Sequence, residues 1–177
     1  MYFKELKRSM EWLARQDDTL FLGQAVEEPG TAMFNTLIDV SGTKRIELPV
    51  AEEMQMGMAI GFAINGSVPV TIYPRWNFLL LAANQLINHL DRMPHISNQG
   101  FTPKVIIRTS IGSERPLHPQ HQHIGDFSDS MRTILENIEV IRLDEPDQIF
   151  PAYQKAYRRT DGQSTLIVEY GDYYNEK

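Results

Sequence analysis

The sequence predicts an α/β fold of three layers, with helices on both faces of a mainly parallel sheet. Segments of β type alternate with segments of helical type along the chain. Several β-type segments, such as KVIIRTS at 104–110, are almost continuously apolar, which is typical of parallel strands covered on both faces. The chain has 177 residues and is 42% hydrophobic, so we expect a single domain over 1–177.

Each element follows from a local pattern. At 2–16, Phe3, Leu6, Met10 and Leu13 recur at helical spacing, which predicts an amphipathic helix. The other predicted helices are 51–66, 77–93, 131–137 and 146–158, and the predicted strands are 19–26, 45–50, 68–74, 104–110, 138–144 and 165–171.

Two predicted helices, 51–66 and 77–93, are apolar on nearly all sides. A helix of this kind is expected to be buried, either deep in a core or at an interface between subunits. In the helix at 146–158, Pro146 suits the first turn, whereas Pro151 predicts a kink or a later start.

Composition excludes several classes of function. The formal net charge is −6 and Lys and Arg form no run, which disfavours a nucleic-acid-binding protein. The absence of cysteine excludes disulfides and thiolate chemistry and fits a cytoplasmic location. The first 18 residues are too charged for a signal peptide, and no apolar run reaches the roughly 18–20 residues that span a bilayer.

Two carboxylates, Glu52 and Glu53, follow Pro49 at the start of the helix predicted at 51–66. Acidic side chains in a first turn interact favourably with the helix dipole and are common there. The same placement also suits a functional carboxyl group at the carboxyl edge of a parallel sheet, where ligands usually bind. The local pattern alone leaves both explanations open.

Several further motifs follow one another between residues 19 and 170. In type and order they resemble the motifs of the pyrimidine-binding domain of the transketolase-like thiamine enzymes. Within that family, the resemblance is to the beta subunit of the decarboxylase component of 2-oxoacid dehydrogenases. The matching segments are LGQAV at 22–26, KRIELP at 44–49, Leu48-Pro49-Val50-Ala51-Glu52 with Gly57 and Gly61, Tyr73-Pro74-Arg75-Trp76-Asn77-Phe78, and Gln120-His121.

The resemblance implies a thiamine diphosphate site in which Glu52 is the catalytic carboxyl group. In this family a glutamate bonds to the aminopyrimidine ring, which enables the cofactor's own amino group to deprotonate the thiazolium carbon. A carboxyl group in a largely apolar pocket suits that bond, because desolvation favours its protonated form. Glu53 takes this role if the register is shifted by one residue.

Further site residues follow from the same resemblance. Phe78 matches the aromatic residue that stacks on the pyrimidine, with core packing as the alternative. Tyr73 and Trp76 are expected in the cofactor pocket wall or in the core, and Asn77 is expected to cap the following helix. His121 matches the catalytic histidine that faces the substrate and acts as an acid, a base or an oxyanion donor.

The long loop at 111–126 leaves several alternatives open. Its histidines, His118, His121 and His123, are of a type that binds metals, but their spacing is not that of a helical zinc motif, and we expect no metal site. His118 and His123 are either neighbours of the substrate or solvated loop residues. Arg108, just before the loop, is suited either to an anionic substrate or to a nearby carboxylate.

The resemblance also implies a partner. The family binds the diphosphate and Mg²⁺ through a second domain, which carries Gly-Asp-Gly and, further on, Asn-Asn, and neither segment is complete here. We therefore expect an alpha-type subunit to hold the diphosphate and Mg²⁺, in a hetero-oligomer that is a heterotetramer built around a dimer of pyrimidine domains.

The expected substrate is a small molecule, a 2-oxoacid or a ketose. The beta subunits of that family continue into a C-terminal domain, for which we expect no counterpart here; this expectation favours a stand-alone decarboxylase or an acyl or ketol transferase over a lipoyl-linked dehydrogenase. Gln24-Ala25 also stands where the family has an acidic position. The alternatives are a catalytically silent regulatory or scaffolding homologue and, third, a metal-binding hydrolase built on the histidine loop.

Overall fold

A computed structural model of the chain describes residues 1–115 and 118–176. Residues 116 and 117 of the long histidine loop therefore lie outside the described residues. The helices are α1 (Tyr2–Ala14), α2 (Ala32–Asn35), α3 (Glu52–Ile64), α4 (Trp76–Leu79), α5 (Met93–Ile96), α6 (Ser128–Ile134), α7 (Pro146–Arg158) and α8 (Tyr173–Glu176). The strands are β1 (Thr19–Gly23), β2 (Arg45–Glu47), β3 (Val68–Ile72), β4 (Ile106–Ile111), β5 (Ile138–Arg142) and β6 (Ser164–Tyr170).

The six strands form one sheet in the order β2-β1-β3-β4-β6-β5. Every pairing between neighbouring strands is parallel, with Phe21 opposite both Arg45 and Val70, and Arg108 opposite Ile167. The carboxyl ends of the central strands β1, β3, β4 and β6 therefore lie along one edge of the sheet. This edge is where the motifs identified in the sequence converge.

Two hydrophobic cores cover the two faces of the sheet. One lies between the sheet and helices α1 and α7, and the other lies under α3, α6 and the segment from 76 to 90. Adjacent residues of a strand divide between the cores: Ile106 faces the first and Ile107 the second, because successive side chains of a strand point to opposite faces. This arrangement confirms the predicted three-layer α/β fold.

The segment predicted as one helix at 77–93 is wound irregularly. It runs from α4 into a 3₁₀ turn at Leu80–Ala82 and then a π-helix at Gln85–Leu90, before α5 begins. The buried carboxylate of Asp91 follows the π-helix and accepts hydrogen bonds from the backbone N–H groups of Glu136 and Asn137, at 3.0 and 2.8 Å. The contact between Asp91 and the segment before β5 lies directly after the π-helix, whose turns are wider than those of an α-helix. The apolar pattern of the sequence does not reveal this contact.

Helix α7 spans 146–158 as predicted, and Pro151 does not delay its start. Pro146 stands in the first turn, and the side-chain oxygen of Gln148 accepts hydrogen bonds from the N–H groups of Asp144 and Glu145 at 3.1 and 3.2 Å. These contacts satisfy backbone donors that the start of a helix leaves without partners. They stabilise the helix start.

Helix α3 is buried on one side only. Met56, Ala59 and Ile60 face the second core, whereas Met54 and Ile64 are 46% and 40% exposed. Apolar side chains therefore line the outward side of α3 in the isolated chain. The prediction of a buried helix holds for one face, and the other face is open to a partner.

Candidate functional site

Glu52 is the first residue of α3, and its side chain is only 5% exposed. The side-chain amide of Gln24 donates to Glu52 Oε1 at 3.2 Å, and the hydroxyl of Tyr73 donates to the Glu52 carbonyl oxygen at 3.2 Å. Glu52 thus lies where α3, the loop after β1 and the end of β3 meet. A carboxyl group that is both buried and oriented by neighbours fits a site residue better than a simple dipole partner.

Glu53 has different surroundings from its neighbour. It is exposed, and Glu53 Oε1 accepts hydrogen bonds from the side-chain amides of Asn84 and Gln85 at 3.0 and 3.4 Å. These hydrogen bonds lower the pKa of Glu53. Of the two carboxylates, only Glu52 is directed towards the interior of this edge.

The loop that carries Gln24 is anchored by Glu47, at the end of β2. The carboxylate of Glu47 accepts hydrogen bonds from three consecutive backbone N–H groups, those of Ala25, Val26 and Glu27, at 2.9, 2.8 and 2.7 Å. This arrangement fixes a tight turn in which Ala25 has a φ of 59°. Sequence reasoning missed Glu47, because a single acidic residue at a strand end carries no signal of this contact.

The position of α3 depends on a close approach at Gly23. The buried amide of Gln55 donates to Thr71 Oγ1 at 2.9 Å and to the Ile72 carbonyl oxygen at 2.8 Å. Gly23 has a φ of 140°, and a Cβ atom there would lie 2.3 Å from that carbonyl and 2.6 Å from Gln55 Nε2. The absence of a side chain at Gly23 therefore enables Gln55 to join α3 to β3, which sets the place of Glu52.

Phe78 lies next to His123, with 5.3 Å between the ring centroids and 53° between the ring planes. Both side chains are half-buried. The Nδ1 atom of His123 is buried and has no hydrogen-bond partner among the described residues. Arg75 donates to the carbonyl oxygen of His123 at 3.3 Å, which joins the histidine loop to the segment after β3.

His121 and His118 lie further out on the loop. His121 is exposed in a single 3₁₀ turn at Gln120–Gln122, and His118 is also exposed, with its Nδ1 atom accepting from the Gln120 N–H at 3.0 Å. The structure therefore brings Phe78 together with His123 rather than with His121. The sequence holds two successive Gln-His dipeptides, 120–121 and 122–123, so the motif by itself leaves the register undecided.

Tyr73 and Trp76 are both fully buried in the second core. Tyr73 supports the backbone of Glu52, and burial raises its pKa. Trp76 packs edge-on against Phe127, with ring centroids 6.0 Å apart. The indole Nε1 atom of Trp76 and the Oδ1 atom of Asn77 are buried without a hydrogen-bond partner among the described residues.

The expectation that Asn77 caps the following helix is wrong. Helix α4 begins at Trp76, and the residue at the cap position is Arg75. The backbone N–H of Phe78 donates to the carbonyl oxygen of Arg75 at 3.0 Å, which closes this first turn. Asn77 therefore lies inside the helix, and its buried Oδ1 atom accepts no hydrogen bond from the described residues.

Arg108 is fully buried and forms an ion pair with Glu169. Of the two roles predicted for it, binding an anionic substrate or pairing with a carboxylate, the structure shows the second. Its Nε atom lies 2.6 Å from Glu169 Oε1, and its Nη2 atom lies 3.0 Å from Glu169 Oε2. The hydroxyl groups of Tyr153 and Tyr174 also donate to this carboxylate, and burial followed by the charge of Glu169 raises the pKa of both tyrosines. The Arg108 side chain has no exposed surface with which to contact a substrate.

In the part of the chain that the structure describes, no three His, Cys, Asp or Glu side chains are placed to hold a metal ion. The hypothesis of a hydrolase built on the histidine loop therefore gains no support. The described helices include none that is both long enough and apolar enough to cross a membrane.

A sequence model of the family described as "Transketolase, pyrimidine binding domain" matches residues 5–174. The chain belongs to this family. The match spans nearly the whole chain and confirms the resemblance on which the site was identified.

The pyrimidine-binding domain has curated relatives that are pyruvate dehydrogenase E1 component beta subunits. The protein from Gracilaria tenuistipitata var. liui is 33% identical over 125 residues, which is 68% of this chain and 39% of the relative. The chloroplastic beta-3 subunit of Arabidopsis thaliana is 32% identical over 125 residues, again 68% of this chain and 31% of the relative. The matches therefore cover well under half the length of these relatives.

Among solved structures, the pyrimidine-binding domain resembles a chain titled "Split gene transketolase, inactive beta4 tetramer". The TM-score is 0.59 and the sequence identity is 17%, over 95% of this chain and 50% of that chain. At this level of identity the likeness shows the fold, and it agrees with the three-layer architecture seen here.

The residues at this edge fit the pyrimidine end of thiamine diphosphate. Glu52 supplies a buried carboxyl group, Phe78 supplies a half-buried ring, and Asn77 and His123 each contribute a buried polar atom without a partner among the described residues. A half-buried aromatic ring with a few buried polar groups is the kind of lining that binding sites for small molecules show.

Proposed function

We propose that this chain is the pyrimidine-binding subunit of a split thiamine diphosphate-dependent enzyme. Glu52 carries the proposal, because it is a buried carboxyl group at a helix start; Gln24 donates to its side chain and Tyr73 donates to its backbone carbonyl oxygen. Family membership supports the class of cofactor. The reaction is the decarboxylation of a 2-oxoacid or the transfer of an acyl or ketol group.

When bound, thiamine diphosphate supplies a nucleophilic thiazolium carbon. Glu52 would hold a proton at the pyrimidine ring nitrogen, and burial of its side chain would strengthen this hydrogen bond. Phe78 would stack on the ring and exclude water from one face. The neutral side-chain amide of Gln24 donates to Glu52 Oε1 and so holds the carboxyl group in place.

We assign the substrate-facing histidine to His123, and His121 remains the alternative. The contact of His123 with Phe78 and its buried, unpaired Nδ1 atom support this assignment. An imidazole in this place exchanges a proton with the substrate or stabilises a developing negative charge on oxygen.

The proposed partner is an alpha-type subunit that holds the diphosphate and Mg²⁺. The apolar outward side of α3, with Met54 and Ile64 exposed, supports a subunit interface there. By analogy with the neighbour titled as an inactive tetramer of beta chains, this chain is inactive until the alpha-type subunit joins it in a heterotetramer. We retain a cytoplasmic location as part of the proposal, which cell fractionation tests.

The first experiment combines the chain with a candidate diphosphate-binding subunit, a protein that carries the Gly-Asp-Gly and Asn-Asn segments. Calorimetry is expected to show Mg²⁺-dependent binding of thiamine diphosphate to the mixture and none to either chain alone. Native mass spectrometry of the same mixture tests the heterotetramer. A mixture that assembles without binding the cofactor would contradict the proposal.

The second experiment compares Glu52→Gln with the matched control Glu53→Gln. Glu52→Gln is expected to leave assembly intact and to lower turnover by about 10²–10⁴-fold, because the amide cannot exchange the proton. Glu53→Gln is expected to keep turnover, since Glu53 is exposed and contacts Asn84 and Gln85. Full activity of Glu52→Gln would remove Glu52 from this role, and cofactor binding without turnover in the wild type would identify a silent homologue.

A further inference from the structure

The histidine loop leaves the sheet at the end of β4, carries His123 and ends at α6. Functional side chains on a loop are held in place by the scaffold that anchors its backbone. The far end of this loop is anchored by Asp126, which accepts from the N–H and the hydroxyl group of Ser128 at 2.9 and 2.5 Å. Asp126 also accepts from Arg142 of β5 at 3.0 Å. The beginning of the loop is anchored from a different part of the chain.

Asp172, just after the end of β6, anchors the beginning of the loop. Its Oδ1 atom accepts from the backbone N–H groups of Glu114 and Arg115 at 3.1 and 3.2 Å, and its Oδ2 atom accepts from that of Glu114 at 3.2 Å. Asp172 is only 8% exposed. Hydrogen bonds from N–H groups to an ionised carboxylate are stronger than those between neutral groups. Asp172 therefore holds the backbone of the first part of the loop from the end of the neighbouring strand.

The segment that carries Asp172 is itself fixed to the interior on both sides. Before Asp172, a Cβ atom on Gly171 would lie 2.4 Å from the carbonyl oxygen of Gly112, so the ends of β4 and β6 are in close contact. After Asp172, the buried hydroxyl group of Tyr174 donates to the carboxylate of Glu169 in the interior. Asp172 thus lies between two fixed points and is a firm support for the loop.

The beginning of the loop also packs against the backbone beside His123. Gly112 has a φ of 45°, and a Cβ atom there would lie 3.8 Å from the Cα atom of Ile124, the residue after His123. On the same histidine, the carbonyl oxygen accepts from Arg75 at 3.3 Å. Burial lowers the pKa of Arg75, and the nearby charge of Asp172 opposes this effect. A shift at the beginning of the loop would therefore move the backbone that carries His123.

We propose that Asp172 is a positioning residue, which sets the place of His123 by holding the beginning of the histidine loop. The inference rests on the proposed function for the catalytic part of His123. Asp172 acts through the backbone around Gly112 and Ile124, and it contacts neither substrate nor cofactor in this role. Proton transfer needs the acid or base within hydrogen-bond distance of the reacting group, so the rate depends steeply on where His123 lies.

Three variants of the full chain test the anchor. Asp172→Ala removes both acceptor atoms, whereas Asp172→Asn keeps an Oδ1 atom, the atom that accepts from both N–H groups. Asp17→Ala is the matched control, since Asp17 is exposed in the turn before β1. Hydrogen exchange followed by NMR is expected to be about tenfold or more faster at the amides of Glu114 and Arg115 in Asp172→Ala. The other two variants are expected to stay near the wild-type rate.

The ring signals of His123 test whether the anchor sets the place of the histidine. In ¹H–¹⁵N spectra of the imidazole, they are expected to shift or broaden in Asp172→Ala and to remain as in the wild type in Asp17→Ala. Wild-type exchange at Glu114 and Arg115 in Asp172→Ala, or faster exchange with unchanged His123 signals, would overturn the inference. Neither measurement uses the cofactor or a partner subunit, so both decide the inference even where the proposed function fails.

The assembled enzyme gives the kinetic measurement, with a 2-oxoacid and a ketose assayed in parallel. In Asp172→Ala, turnover is expected to fall by about 10–10²-fold while the Kd of thiamine diphosphate stays within about twofold, because Glu52 and Phe78 keep their places. Asp172→Asn is expected to restore most of the turnover. A loss of turnover that is matched by weaker cofactor binding or a lower urea midpoint would indicate a role in folding and overturn the inference. An inactive wild-type assembly would contradict the proposed function instead.

Discussion

Glu52 and Glu53 are adjacent in the chain, yet they differ in almost every physical respect. Successive residues of a helix point about 100° apart, so one carboxylate faces the interior and the other faces solvent. Glu52 meets Gln24 and Tyr73, whereas Glu53 meets Asn84 and Gln85. The choice between the two carboxylates depends on the orientation of α3.

The histidine loop gives a direct prediction at the scale of single residues. His123→Ala is expected to lower turnover of the assembled enzyme by about 10²-fold or more, because the proton-exchanging group beside Phe78 is lost. His121→Ala is expected to have little effect, since His121 is exposed in the 3₁₀ turn. Steady-state kinetics of both variants checks this, and the reverse order of effects would restore His121 to the role that the sequence motif predicted.

At the scale of elements, the link between α3 and the sheet depends on Gln55 and on the close backbone approach at Gly23. Gln55 reaches over Gly23 to bond with Thr71 and Ile72 of β3. The neighbouring turn at Ala25 is fixed separately, by the carboxylate of Glu47. Contacts with β3 thus position α3, and contacts with β2 position the neighbouring turn after β1.

This arrangement predicts a large loss of stability for Gly23→Ala. The new Cβ atom would meet backbone at 2.3 Å in a conformation that alanine rarely adopts, so we expect a loss of about 2 kcal/mol or more. Gly57→Ala is the control: it lies inside α3 with open space around its Cβ position, and helix propensity predicts a gain of about 0.5–1 kcal/mol. Urea unfolding measures both, and equal midpoints for the two variants would contradict the role assigned to Gly23.

At the scale of the whole molecule, a buried polar network joins distant parts of the chain. Arg108 of β4 and Glu169 of β6 form its centre, and Thr36, Tyr153 and Tyr174 contribute hydroxyl groups. Breaking such a pair by removing one partner typically costs about 3–5 kcal/mol, because a buried charge is left uncompensated. The network therefore makes Arg108 a residue of the interior rather than of the substrate site.

The outward side of α3 predicts how the molecule assembles. The double variant Met54→Glu with Ile64→Lys adds charges that agree with the helix dipole, so the folded chain is expected to remain stable. Co-assembly with the alpha-type subunit is expected to be lost, because charge would be buried in an apolar interface. Light scattering of the mixture measures this, with Ile96→Lys on α5 as the control at another exposed position. Normal assembly of the double variant would place the interface elsewhere.

The sequence by itself determined the fold class, the family and the order of nearly all long elements, because apolar periodicity and motif order are local properties. Only the tertiary structure separated Glu52 from Glu53, set His123 beside Phe78, and paired Arg108 with Glu169. Each of these contacts joins segments that are distant in sequence, and side-chain orientation there depends on how the elements pack. The sequence cannot distinguish two adjacent glutamates or two successive Gln-His dipeptides. The folded chain distinguishes them, because one glutamate is buried and one histidine is half-buried, whereas the other member of each pair is exposed to solvent.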